Sequence, residues 1–153
     1  LYYAARYGRI GTETIKALVS ATGGKETLGW GESAHLQSPL HVAVRNGHTE
    51  IVQALLDCGA DPSLVDDAAR SSFHEAVLFD CYGDGRKRHK VAVPYVNAKE
   101  ENGKNANSME EERHRLDILQ RLLGSGHCQL NQGDVHGCTP LWYAARGGCT
   151  KDI

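Results

Sequence analysis

The clearest pattern of apolar and polar positions lies between Ser38 and Ser71. Ser followed by Pro favours a helix start, because the hydroxyl caps free N–H groups and Pro lacks the N–H that would go unbonded. Apolar residues then return at helical spacing in two short runs, Leu40, Ala43 and Val44, and then Ile51, Val52, Leu55 and Leu56. Gly47 and Gly59, which follow these runs, are typical of helix ends. The pattern predicts two short antiparallel helices, neither of which can bury its apolar face alone.

Three other segments repeat this pattern. They are "LYYAARYGR" from Leu1, "SSFHEAVLFD" from Ser71 and "TPLWYAARGGCTKDI" from Thr139. Ser71 follows Ser38 by 33 residues, a period that is typical of stacked helical repeats. We therefore predict one domain of stacked units at about 1–37, 38–70, 71–138 and 139–153, the last of them truncated. Such units are stabilised mainly by contact with their neighbours, so we expect further repeats beyond both ends.

The segment "SPLHVAVRNGHTEIVQALLDCGADPS" resembles the ankyrin repeat, and "NQGDVHGCTPLWYAARGG" resembles the junction between two such repeats. The resemblance implies an all-α fold, an ankyrin-repeat solenoid of stacked helix-turn-helix units with β-turn fingers. It also implies that His41 and His74 form hydrogen bonds to neighbouring fingers. Trp142 stands at the corresponding position of the last unit, which puts that contact in doubt there.

The unit at 71–138 is about twice the length of the others. An extra start at Asn105 would give spacings of 33, 34 and 34 residues, which favours two decayed repeats. Burial favours a single interrupted repeat, because "DGRKRHK" and "NSMEEER" offer no apolar face, whereas "MEEERHRLDILQRLLGSG" is a sound second helix. We prefer the single repeat, interrupted by one long polar loop at about 83–108, with its second helix starting near Ser108.

Composition and charge narrow the class of protein. The chain has 153 residues, 41% of them hydrophobic, and a net charge of −2, which argues against a broad nucleic-acid or membrane footprint. Its five cysteines are scattered and never spaced as C-x-x-C. With no N-x-[ST] sequon, N-terminal apolar segment or membrane-length apolar run, we expect a cytoplasmic or nuclear protein.

No residue pattern predicts catalysis, a metal site or a cofactor. Five residues near the C-terminus could be metal ligands in type, but they fall on successive predicted fingers and helices and do not form tightly spaced pairs. They are His127, Cys128, His136, Cys138 and Cys149. We therefore expect a non-catalytic module without metal or cofactor.

The resemblance also implies where a partner binds, because ankyrin repeats grip proteins with their finger tips and with the exposed end of the first helix. Carried over by position, the partner-binding candidates are Arg6, Tyr7, His35, Gln37, Arg45, Asn46, Asp67, Arg70, Leu78, Phe79, Val135, His136 and Arg146. Leu78 and Phe79 are apolar at a normally exposed position, which indicates either a binding hot spot or a cover from the inserted loop. The recurrence of Arg6, Arg45 and Arg146 suggests an acidic partner segment.

A short basic run in the inserted loop is a further candidate. Arg86, Lys87, Arg88 and Lys90 could serve nuclear import or bind an anion, although a solvated loop is the more ordinary explanation.

The sequence thus predicts a protein-binding scaffold or adaptor, a monomeric module within a longer chain, whose partner is a protein of unknown identity. Two alternatives stay open. The first is a regulatory or targeting module of a larger enzyme or ubiquitin-ligase adaptor, and the second, weaker one is an anion or nucleic-acid binder that uses the basic loop.

Overall fold

A computed structural model describes residues 1–29, 35–78, 106–126 and 129–146 of the chain. Within these ranges the fold is helical, as predicted, and contains no strand. A single antiparallel bridge joins Val65 to Ser71. The helices are α1 (Tyr2–Tyr7), α2 (Thr12–Ala21), α3 (Lys25–Gly29), α4 (Pro39–Arg45), α5 (Thr49–Asp57), α6 (Ser72–Leu78), α7 (Ala106–Gly124) and α8 (Pro140–Arg146).

Helix α4 begins where the sequence predicts. Ser38 is its N-cap, and the Ser38 hydroxyl accepts a hydrogen bond from the backbone N–H of His41. Pro39 occupies the first turn, where a missing N–H costs nothing. The helix ends before Gly47, which has a φ of +71°. The capping residues, and not the apolar positions alone, therefore fix both ends of this short helix.

The helices contact one another in two series. In the first series α1 contacts α4, α4 contacts α6, and α6 contacts α8. In the second series α2 contacts α5, and α5 contacts α7. Contacts of α4 with α5 and of α6 with α7 join the two series. This order follows from the repeat, because the first helix of each unit meets the first helix of the next.

The core lies between the two series. Its most deeply buried apolar side chains come from several units, and they include Ile15, Leu40, Leu55, Phe73 and Leu122. Leu55 and Leu122 are each 0% exposed, on α5 and α7 respectively. Because these side chains meet across unit boundaries, the units are stabilised together and not one by one.

Helix α7 is one continuous helix of 19 residues, whereas α5 has 9. It begins at Ala106, slightly before the start predicted near Ser108. A second decayed repeat would need a turn between two short helices within this segment. Helix α7 has no such turn, but residues 79–105, which include most of the predicted loop, lie outside the described residues, so the single interrupted repeat stays a prediction.

The first unit holds an element that the sequence did not predict. In the Gly-rich segment after α2, Lys25–Gly29 forms the short helix α3, which contacts α2 and α4. Leu28 is 3% exposed and explains this helix, because its side chain enters the core. A single buried leucine leaves no periodic pattern for a sequence to reveal.

Candidate partner-binding surface

Three turns precede α4, α6 and α8 and lie side by side. We call residues 35–37 the first finger, 66–70 the second finger and 134–138 the third finger. The backbone N–H of Asp67 donates to the carbonyl oxygen of His35 at 3.1 Å, and the N–H of Val135 donates to that of Ala68 at 3.0 Å. The fingers therefore form one hydrogen-bonded row.

The second and third fingers each contain an aspartate that holds the turn in shape. The Asp66 carboxylate accepts from the N–H groups of Ala68 and Arg70, each at 2.9 Å, and from the Arg70 guanidinium at 2.8 Å. Burial alone would raise the pKa of Asp66, but the hydrogen bonds from Arg70 and Ala68 outweigh it and lower the pKa below its usual value. Asp66 therefore remains ionised and keeps the turn closed.

The third finger is held by the same kind of aspartate, but the side chain that donates to this aspartate is a tyrosine instead of an arginine. The Asp134 carboxylate accepts from the N–H groups of His136 and Cys138, each at 2.9 Å, and from the Tyr143 hydroxyl at 2.7 Å. Burial and the bond to Asp134 raise the pKa of Tyr143. Tyr143 thus ties the third finger to α8, while Trp142, at the position of His41, is 42% exposed.

His41 and His74 each link a helix to the following finger, as the resemblance implied. Nε2 of His41 lies 3.0 Å from the carbonyl oxygen of Arg70, and Nε2 of His74 lies 3.1 Å from that of Cys138. A carbonyl only accepts, so Nε2 carries the proton and Nδ1 accepts from the N–H of Ser38 or Ser71. Burial lowers the pKa of both imidazoles. Both histidines are therefore neutral, and each connects its helix to the next finger through hydrogen bonds.

Behind the fingers lies an ion-pair cluster that crosses two units. The Arg45 guanidinium donates twice to the Glu75 carboxylate, at 2.8 and 2.7 Å, and once to the side-chain oxygen of Gln37 at 2.8 Å. A guanidinium nitrogen of Arg70 also lies 3.6 Å from the Glu75 carboxylate. Charge from Glu75 and Asp66 offsets the effect of burial and raises the pKa of Arg70. The cluster joins α4, α6 and the first two fingers.

This cluster corrects the surface predicted for Gln37 and Arg45. Gln37 was expected at an exposed finger tip, but it is 2% exposed, because its amide is engaged by Arg45. The side chain of Arg45 is 23% exposed and is committed to Glu75. Of the three arginines that suggested an acidic partner segment, Arg6, Arg45 and Arg146, Arg45 is therefore already engaged within the molecule.

Leu78 is also placed differently from expectation. It was predicted at an exposed helix end, but it is 9% exposed, because α6 contacts α4, α7 and α8. Phe79 and the basic candidates Arg86, Lys87, Arg88 and Lys90 lie outside the described residues. A buried Leu78 is not an exposed hot spot, whereas the cover from the inserted loop involves residues outside the described ranges and stays a prediction.

The remaining candidates fall into two groups. Asn46 and Arg70 are half-buried, and the Asn46 amide donates to the carbonyl oxygen of Val42. Seven candidates are exposed, and they are Arg6, Tyr7, His35, Asp67, Val135, His136 and Arg146. Four of these seven sit on the fingers, so the exposed part of the predicted surface is mainly the finger row.

Two exposed arginines at the helix ends rest on aromatic rings. The Arg6 guanidinium carbon lies 5.8 Å from the ring centre of Tyr7, and that of Arg146 lies 5.0 Å from the ring centre of Trp142. Both positions combine charge with apolar area, a composition that suits protein contacts.

Sequence reasoning missed three residues of the fingers and of the ion-pair cluster behind them. Glu75 stands where α4 has Val42, so an acidic residue on an otherwise apolar helix face was the available signal. Asp66 is the first residue of the second finger and was overlooked beside Asp67. Leu36 lies at the tip of the first finger and is 64% exposed. The exposure of Leu36 left no sequence signal, because leucine ordinarily counts as a core residue.

A cavity of about 220 Å³ lies between α4, α6 and α7. It is lined by Val44, Asn46, Gly47, Ala76, His114, Arg115 and Ile118. Arg115 is 4% exposed. None of the three fingers contributes to the lining, so this cavity is separate from the finger row.

Within the four described ranges, no three His, Cys, Asp or Glu residues are grouped so as to hold a metal ion. None of the helices in that part of the chain combines the length and the apolar character needed to cross a membrane.

Comparisons with known proteins match one repeat and short parts of longer relatives. The family description of the ankyrin repeat matches residues 35–67. The transient receptor potential cation channel subfamily A member 1 of Homo sapiens is 42% identical over 60 residues, 39% of this chain. The palmitoyltransferase ZDHHC13 of Mus musculus is 40% identical over 74 residues, 48% of this chain. The matched segments span only 5% and 11% of these relatives.

Proposed function

We propose, from the premise that residues 35–67 are an ankyrin repeat, that this chain is a protein-binding scaffold or adaptor module. The two series of helices would form a curved solenoid, with the finger row on one side as the surface that meets the partner. We assign binding to this surface and no catalytic step. The partner is a protein, and the module acts as a monomer.

One observation carries this proposal. Adjacent fingers are joined by backbone hydrogen bonds, yet side chains at their tips are left exposed. His35, Asp67, Val135 and His136 are all exposed on a framework whose buried aspartates and histidines are fully bonded. A rigid framework lowers the entropy that is lost when a partner orders the contact surface, so binding energy is retained.

A second candidate function is favoured by the comparisons. The matched segments are small parts of a longer palmitoyltransferase and a longer cation channel subunit. The module would then recruit or regulate the remainder of a larger protein through the same finger row. A reducing compartment, cytoplasm or nucleus, suits either function, because Cys58 and Cys138 are free thiols.

The test is a pair of matched triple variants used as bait in cell lysate. The finger variant carries Asp67→Ala, Val135→Ser and His136→Ala, and the control carries Glu13→Ala, Lys16→Ala and Glu50→Ala on exposed positions of α2 and α5. We expect the finger variant to lose the protein that the parent captures, and the control to keep it.

Both variants should melt like the parent by circular dichroism, because all six changes are at exposed positions. Equal capture by the finger variant and the parent would contradict the proposal, as would equal loss in both variants.

A further inference from the structure

Leu36 adopts a backbone conformation that leucine rarely takes. Its φ is +52°, in the left-handed region, and the equivalent residues of the other fingers are Ala69 with a φ of +57° and Gly137 with +74°. Glycine meets no steric penalty there, whereas a side chain brings its Cβ too close to the backbone. The third finger has the favourable residue at this turn, and the first finger does not.

Packing of the Leu36 side chain does not offset the strain of its backbone. The side chain is 64% exposed, so it contributes little to the core. An exposed leucine alone is ordinary, and so is a strained residue held by buried contacts. A residue that is both strained and exposed is explained by neither. Strain kept without a structural benefit indicates a surface used in binding.

The neighbours of Leu36 define the chemistry of this surface. Across the finger row Val135 is 61% exposed, and between them the second finger carries the small residues Ala68 and Ala69, both half-buried. We call these four residues the fingertip strip. The strip thus has one well exposed aliphatic residue on each of the outer fingers and two half-buried alanines on the finger between them.

Charged side chains beside the strip already have hydrogen-bond partners within the molecule. His35 Nδ1 lies 3.0 Å from the Asp67 carboxylate, and Arg70 is bonded to Asp66 at 2.8 Å. A charged partner segment would therefore have to compete with these pairs, whereas a neutral apolar group would not. Charge complementarity favours an uncharged occupant of the strip.

We propose that Leu36 and Val135 hold an aliphatic or aromatic side chain of a protein partner, seated over the alanines of the second finger. This inference rests on the proposed function and narrows it, because the anchor of the partner is apolar and not the acidic segment that the arginine series suggested. Burying the exposed part of Leu36 against such a group would be a contact of hot-spot type.

The stability half of the test separates a binding role from a structural one. In Leu36→Gly the left-handed strain is relieved, so we expect an unchanged Tm or a rise of up to about 3 °C. Ala69→Gly relieves the same kind of strain and should behave alike in melting. A fall in the Tm of Leu36→Gly by several degrees would show that Leu36 supports the fold, and it would overturn the inference.

The binding half uses random short peptides displayed on phage and selected on the purified chain. We expect the selected peptides to require an aliphatic or aromatic residue, and to bind Leu36→Gly about tenfold more weakly, as for the loss of one buried leucine. Leu116→Gln, on α7, removes a leucine that is 40% exposed and lies outside the strip. It should leave the affinity unchanged.

Each other outcome has a definite meaning. Selected peptides that are acidic, or that bind Leu36→Gly as tightly as the parent, would overturn the apolar anchor while leaving the proposed function intact. A failure to select any peptide above the level found for an unrelated protein would contradict the proposed function, and the anchor with it.

Discussion

At the residue scale, Glu75 shows how a polar group in an apolar position is tolerated. It stands on α6 where α4 has Val42, and it is 2% exposed. Arg45 and Arg70 approach it from α4 and the second finger, so two elements of the preceding unit match the buried charge. Such pairs add little net stability when complete, but removing one partner is costly because the other charge stays behind.

We predict that Glu75→Ala lowers the free energy of unfolding by about 2–3 kcal/mol, measured by urea denaturation. The value lies below that for a fully buried pair, because Arg45 and Arg70 retain partial exposure and so some solvation. Glu13→Ala, which removes the exposed partner of Lys16 on α2, should have no measurable effect. Equal effects of the two substitutions would contradict the importance of the cluster.

A second prediction concerns a close approach between α1 and the start of α5. Gly8 has a φ of +64°, and a Cβ there would collide with the imidazole ring of His48. Gly8→Ala should therefore lower the free energy of unfolding by about 2 kcal/mol, from strain and displacement together. Gly124→Ala, where a Cβ would meet no neighbouring atom, should be neutral. A neutral Gly8→Ala would show that this contact is loose.

At the element scale, the sequence predicted most helices and some of their contacts. Apolar spacing and the Ser-Pro cap are local signals, and they identified α4 and α5. The hydrogen bonds of His41 and His74 followed from the ankyrin resemblance. Gln37 and Leu78 were misplaced because their burial depends on partners from another element, Arg45 for the first and the neighbours of α6 for the second. Such partners leave no signal in local spacing.

Helix α7 gives the prediction that belongs to this scale. Leu122 is 0% exposed against the core, while the adjacent Leu123 is 46% exposed. Leu122→Ala should lower the free energy of unfolding by about 3 kcal/mol, and Leu123→Ala by well under 1 kcal/mol. Chemical denaturation of both variants checks this. Similar losses would mean that α7 does not present this face to the core.

At the scale of the whole molecule, the two buried histidines predict how stability depends on pH. The pKa of His41 and His74 is lowered by burial in the folded state, against about 6.5 in the unfolded chain. Below pH 6.5 the unfolded chain therefore binds more protons, and the free energy of unfolding falls. The fall is at most about 1.4 kcal/mol per pH unit for each histidine.

The charges around these rings come from several elements. Asp66, Glu75 and Arg45 face His41, and Asp134, Arg70 and Asp66 face His74. The pKa values of Asp66 and Asp134 are lowered, so the stability they contribute is present above about pH 4 and is lost only as the pH falls further. The pH range in which the histidines change stability is therefore separate from the range in which the aspartates do.

Urea denaturation between about pH 7.5 and 5.5 measures the histidine window. We expect a decline towards the acid side that His74→Asn makes shallower. A free energy of unfolding that stays constant across this range would contradict the assignment of neutral, buried imidazoles.

We propose that this chain, whose residues 35–67 match the ankyrin repeat, binds a protein through its finger row. Site-specific photo-crosslinking in cells tests this proposal most directly, with the crosslinker placed at His136 on the third finger or, as a control, at Lys16 on α2. We expect a discrete crosslinked protein from position 136 and none from position 16. Crosslinks of equal yield from both positions, or crosslinks from position 136 to nucleic acid alone, would contradict it.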